Sequence, residues 1–230
     1  VNGAGASVQL NFYSGFDDTD LISALDDNNG ATLGAQRKLA FVKAAEFIAQ
    51  QISSTQTIVV DAQFSALSCN ASSAVLGSAS ASNFYSHSGD APTGIANNTW
   101  YPLGLYNAIT GADILNSQSD VNANFNKNLG NAGCLENSDG WYYGFAQAPA
   151  NQTDFTYVLL HEILHGMGFS SLVNPSTGVK GLGTGLDDIF SNQLSDDTDG
   201  LWKDLSDAQR ASSAKSVNGL LWDGSNTNNN

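Results

Sequence analysis

Polar and apolar residues alternate along Val8-Gln9-Leu10-Asn11-Phe12-Tyr13. That period of two predicts a strand, closed by Gly15 and the acidic turn around it. From about Leu33 to Ile52 the period lengthens, and Leu39, Val42, Ala45, Ala49 and Ile52 fall on one stripe of an expected helix. Thr57 to Phe64 predicts a second strand. The order strand, helix, strand implies a sheet with helices packed on it. Ser68 to Ser88 is small and polar, the composition of a hairpin or a long surface loop.

Further along, Asp120 to Phe125 predicts another strand. Trp141 to Phe145 predicts an aromatic strand or edge segment, bounded by Gly140 and Pro149. A helix then opens at Thr153 or Asp154, where a short polar side chain caps it, and ends at Gly166 or Gly168. The chain beyond Phe169 is expected to hold loops and short helices, one of them opened by Ser206. Ser225 to Asn230 has the composition of a linker or a trimmed terminus. There is no internal repeat. The expected fold class is α+β: a twisted mixed sheet with packed helices in one domain, 1–230. Its N-terminal lobe covers about residues 1–168, and a smaller loop-rich C-terminal lobe about 169–225.

The expected helix carries His161-Glu162-Ile163-Leu164-His165. Positions i and i+4 share a helix face, so both imidazoles can reach one ion. Neutral imidazole suits Zn²⁺, and a Glu after the first His is placed to act as a general base. With three His and three Glu in 230 residues, chance yields this pattern in roughly one of two thousand such chains. A pair of core histidines on a buried helix is the plainer alternative.

Composition narrows the partners. A net charge of −14 with eight Lys and Arg argues against nucleic acid or an anionic membrane. No apolar run reaches the 18 residues a spanning helix needs. The chain carries no signal-peptide pattern, which suits a mature or trimmed chain as well as a cytosolic one. Nineteen of the 22 acids are Asp, clustered at Asp17-Asp18-Thr19-Asp20, Asp26-Asp27 and Asp196-Asp197-Thr198-Asp199. Those clusters are either structural Ca²⁺ sites or solvated turns. Cys69 and Cys134 lack metal-ligand spacing. In a secreted chain they pair across a loop of about 65 residues, worth roughly 3–4 kcal/mol; buried free thiols are the alternative.

A catalytic zinc takes three protein ligands and leaves one position for water. The residue ten after the first His is Ser171, not His or Asp, and the only Met is Met167, so a metzincin completion fails. No Glu follows Glu162 and no His follows His165, which also removes a thermolysin-like completion. Asp188 is the preferred third ligand, because Asp187-Asp188 enters the apolar run Ile189-Phe190; Asp187 and then His87 are the alternatives. Helix capping by the acidic pair is the competing explanation. For the oxyanion, His87, Tyr142, Tyr143 and Arg210 remain open. An extended substrate adding to an edge strand is expected at Trp141 to Phe145, unless that segment is simply an aromatic core strand.

His161 to Phe169, His-Glu-Ile-Leu-His-Gly-Met-Gly-Phe, resembles the HExxHGxGF helix of zincin metallopeptidases. With Trp141-Tyr142-Tyr143-Gly144 ahead and Asp188-Ile189-Phe190 behind, roughly residues 120–225 most resemble secreted bacterial metalloproteases that often carry a protease-associated domain. An aspartate ligand would also suit the aspzincins, but their Gly-Thr-x-Asp pattern places the acid at Leu186. The resemblance implies a zincin-like fold around an active-site helix. It further implies a secreted, extracellular zinc endopeptidase acting on protein or peptide substrates, with His161 and His165 as ligands and Glu162 as base; Asp188 stays the third ligand preferred from the residues themselves, and a monomer is expected. A zinc hydrolase of non-peptide substrates and a non-catalytic zinc-binding adhesion module are the competing functions. A purely structural site needs no base beside its ligand, which disfavours the second.

Overall fold

The structure is a computed structural model, and it describes residues 1, 5–116 and 118–224. The expectation for Ser225 to Asn230 lies outside them. The chain runs through β1 (Ser7–Phe12), α1 (Leu33–Gln51), β2 (Thr57–Ser65), a small hairpin of β3 (Cys69–Asn70) and β4 (Ser73–Ala74), and β5 (Gly77–Ala81). Next come β6 (Phe84–Tyr85), β7 (Thr99–Pro102), α2 (Leu103–Thr110), β8 (Val121–Asn126), β9 (Trp141–Tyr142), β10 (Thr153–Asp154) and α3 (Phe155–Gly166). The remainder holds β11 (Asp187–Asp188), β12 (Leu194–Asp196), β13 (Gly200–Leu201), α4 (Asp207–Ser213) and β14 (Leu220–Trp222). Helices and several small sheets together make a mixed, α+β architecture.

The main sheet has the order β1-β2-β8-β5. The first three strands are parallel and β5 is antiparallel to β8, with Ala79 opposite Ala123. Alternation along β2 and β8 divides the sheet into two faces. Ile58, Val60, Ala62 and Phe64, with Val121, Ala123 and Phe125, are buried beneath the helices. Asp61, Gln63, Asn122 and Asn124 point the other way, to a polar outer face.

The helices pack on the apolar face. In α1 the buried side is Arg37, Ala40, Phe41, Ala44, Ala45, Ile48 and Ala49, whereas Leu39 is 40% exposed. The expected stripe is therefore rotated: small Ala residues seat the helix closely on the sheet, and Phe41 supplies the bulk. Phe155, the first residue of α3, is fully buried in an aromatic cluster, with ring centroids 5.4 Å from Phe64, 5.0 Å from Phe125 and 5.7 Å from Phe41. Asp154 caps the helix, its side chain accepting from the Tyr157 N–H at 2.9 Å.

The hairpin expected as one alternative for 68–88 is present as β3–β4, and the same stretch also supplies β5, an edge strand of the main sheet. Trp141 to Phe145 is not that edge. Its two-residue strand β9 pairs with β10, and Trp141, Tyr142 and Tyr143 are buried, as the aromatic core alternative expects. Trp141 donates to the Asn126 carbonyl at 2.7 Å, and the Tyr143 hydroxyl accepts from Arg37 at 3.1 Å.

A second, smaller cluster of Val173, Leu194, Trp202 and Leu205 lies in the chain after α3. Arg210 is buried beside it, donating to the Gly178 carbonyl at 2.7 Å and to the Leu205 carbonyl. Ser206 opens α4 with a capping box. Cys69 and Cys134 form a disulfide. No helix among the described residues is long and apolar enough to cross a membrane.

Candidate metal centre

The motif lies on α3, and its two imidazoles converge. The Nε2 atoms of His161 and His165 are 3.0 Å apart, with the rings nearly perpendicular at 86°. The Nδ1 of His165 lies 2.8 Å from the Phe169 carbonyl oxygen. A carbonyl only accepts, so Nδ1 carries the proton and Nε2 presents its lone pair. Two nitrogens each about 2.0–2.1 Å from one tetrahedral ion stand about 3.3 Å apart. The observed separation fits a shared cation within a few tenths of an ångström. Neither ring is buried.

The two glycines after His165 place this turn. A Cβ on Gly166 would sit 2.3 Å from Val121 Cγ1, so glycine lets the helix end reach β8. Gly168 has φ +104, and its Cβ would meet Pro102 Cγ at 2.4 Å. The chain can therefore double back and bring the Phe169 carbonyl to His165.

Glu162 faces β5, where its Oε2 accepts from the Ala79 N–H at 3.1 Å. Glu162 and His161, with Val75, Leu76, Gly77, Tyr157 and Val158, line an open, mainly apolar groove of about 460 Å³. Glu162, His161 and the sheet edge thus share one cleft.

The other expected ligands are engaged elsewhere. Asp188 is buried, and its carboxylate accepts from Leu172 N–H at 3.0 Å and from the N–H and hydroxyl of Ser191, both at 2.7 Å. Ser191 also shares a 2.7 Å hydrogen bond with Ser171. This network holds the strap that follows the motif onto the turn at 191–193. Asp187 pairs with Lys180 at 2.6 Å, and His87 lies 2.6 Å from the Tyr106 hydroxyl and stacks on its ring. Among the described residues, no three His, Cys, Asp or Glu side chains gather into a group that could hold an ion. The structure brings the motif's two imidazoles together and sets Glu162 beside His161 in the adjoining groove, while Asp188, Asp187 and His87 hold other partners.

Comparison with known proteins finds no matching family model, no matching curated protein and no matching solved structure. The chemistry of the site therefore rests on its own residues.

The oxyanion candidates also lie elsewhere. Tyr142 donates to Asp26, and that acceptor together with burial pushes its phenol up to about 12. Burial raises Tyr143 to about 12 against the opposing effect of Arg37. Arg210 is committed to backbone carbonyls. The acidic clusters cap turns: Asp18 accepts from Asp20 N–H at 3.0 Å, and Asp196 from the N–H groups of Thr198 and Asp199 at 3.0 and 3.1 Å.

Sequence reasoning missed Tyr157, which is 74% exposed in the cleft. Its signal was present, since it precedes His161 by four residues and so shares the helix face. It also missed β5, whose Ser-Ala alternation carries no bulky apolar residue to mark a strand.

Proposed function

We propose that this chain is a secreted, zinc-dependent endopeptidase with a zincin-like catalytic domain. The observation that carries the proposal is the convergence of His161 and His165 beside Glu162, in a cleft bordered by the free edge of a sheet. The resemblance of His161 to Phe169 to the zincin helix points the same way, and the Cys69–Cys134 bond suits an oxidising compartment.

His161 and His165 would hold the ion, His165 with its tautomer fixed by Phe169. A Zn²⁺ held there would supply Lewis acidity toward the scissile carbonyl and the attacking water. Asp188, the expected third ligand, supports the strap through Leu172 and Ser191; zinc content of its variants distinguishes a ligand from a positioning residue. Glu162 takes the proton of the attacking water and passes it to the departing amine, acting as base and then acid. The Ala79 N–H holds the Glu162 carboxylate at the sheet edge, ready for that transfer.

A substrate docks as an added strand along β5, and its side chain next to the cleaved bond enters the apolar groove of Val75, Leu76, Tyr157 and Val158. The charge of −14 favours neutral or basic protein and peptide substrates, and no nucleic-acid or membrane partner enters the proposal.

Metal analysis together with casein hydrolysis, with and without chelator, tests the proposal. Stoichiometric zinc and chelator-sensitive cleavage are expected. Zinc without cleavage would favour a non-peptide hydrolase or a binding module, and absence of zinc would overturn the assignment.

A further inference from the structure

Beside the cleft, α1 and α3 leave a second recess of about 340 Å³, lined by Lys43, Phe47, Phe145, Asp154, Tyr157 and Leu160. Two large aromatics stand out of it on adjacent helices: Phe47 is 55% exposed and Tyr157 74%. Clustered exposed apolar side chains mark interaction surfaces more often than scattered ones do. Lys43 takes part in none of the ion pairs among the described residues, so its ammonium is free at the recess.

Tyr157 lines both the recess and the cleft that holds His161 and Glu162. The two cavities are therefore neighbours across one side chain, and a polypeptide leaving the cleft past Tyr157 enters the recess.

We infer that the recess between α1 and α3 is an exosite that binds the continuation of an extended protein substrate. Phe47 and Tyr157 clamp an apolar or aromatic side chain, and Lys43 receives a backbone carbonyl or a carboxylate. This rests on the peptidase reading for the cleft and adds a requirement that the reading lacks: long, unfolded chains rich in apolar residues bind better than short peptides filling the cleft alone. A groove that takes backbone and apolar side chains gains its affinity from a few such anchors.

The test measures binding rather than turnover. The probe is fluorescein-labelled lysozyme, reduced and blocked with iodoacetamide so that it stays unfolded. It is titrated with the zinc-loaded Glu162→Ala chain at physiological ionic strength, and anisotropy is read. Phe47→Ser in that background is expected to weaken binding by about tenfold. Leu21→Ser removes a still more exposed apolar side chain, 84% exposed and outside the recess, and should change binding less than twofold.

Absence of binding, or equal affinity in Phe47→Ser and Leu21→Ser, overturns the exosite. So does a dimer by sedimentation that Phe47→Ser converts to monomer, because the recess would then seat a second copy. Cleavage of the same probe by the unmutated chain judges the peptidase reading separately. Phe47-dependent binding without cleavage would remove that reading and leave the recess as a polypeptide-binding site.

Discussion

His165 Nδ1 and the Phe169 carbonyl oxygen stand 2.8 Å apart, so the residue that ends the motif orients the ring that begins its last turn. The strap carrying Phe169 is itself anchored by Asp188 through Leu172 and Ser191. Removing Asp188 leaves buried donors unsatisfied, at about 1–3 kcal/mol each, and frees the strap. As a positioning residue, Asp188→Ala should lower zinc affinity about 10–100-fold while leaving one bound ion at saturation. Equilibrium dialysis at rising zinc reads this. Failure to reach one ion per chain would make Asp188 a direct ligand, and unchanged affinity would remove it from the site.

Gly166 allows α3 to touch β8. Gly166→Ala drives a methyl group against Val121 and should cost about 1–3 kcal/mol in urea unfolding. Combining it with Val121→Ala should recover part of that loss, giving a non-additive cycle. Strict additivity would mean that the two residues do not share the contact.

The Cys69–Cys134 bond closes a separation of 65 residues and ties the hairpin leading into β5 to the chain after β8. The Leu135 and Glu136 N–H groups donate to Asn70 and Ala71 at 2.8 and 2.9 Å across the same junction. A double Cys→Ser variant should lose about 3–4 kcal/mol of stability. Its β5 amides should exchange faster than those of β2. Uniform exchange across the sheet would show that the bond does not brace the edge strand.

Tyr142 and Tyr143 have phenols raised from 10.0 to about 12, the first by its Asp26 acceptor and burial, the second by burial against Arg37. A raised folded value means that the native state holds the proton more tightly. The associated stability is complete below pH 10 and is lost as pH climbs to about 12. Spectrophotometric titration should show Tyr142 and Tyr143 ionising last among the tyrosines, together with unfolding. Their titration near 10 in the folded chain would contradict the burial described for both.

Much of this was legible in the sequence because it follows from local periodicity. β1, β2 and β8 alternate visibly, and Asp154 announced the start of α3. What stayed hidden depends on tertiary neighbours. The aromatic run Trp141 to Phe145 has strand propensity, but propensity does not say whether a segment lies at an edge or in the core. β5 is built of Gly, Ser and Ala, whose pattern matches a loop equally well. The helical stripe through Leu39 was rotated because small Ala residues, weak hydrophobic markers, make the close contact. Asp188 was found as a buried acid, yet only the fold reveals that Leu172 and Ser191 use its oxygens.

X-ray absorption at the zinc edge of the loaded protein tests the imidazole pair most directly. Two imidazole nitrogens at about 2.0–2.1 Å are expected, with that signature lost in His161→Ala and in His165→Ala. A spectrum without imidazole scattering, or one unchanged by either substitution, would contradict the account.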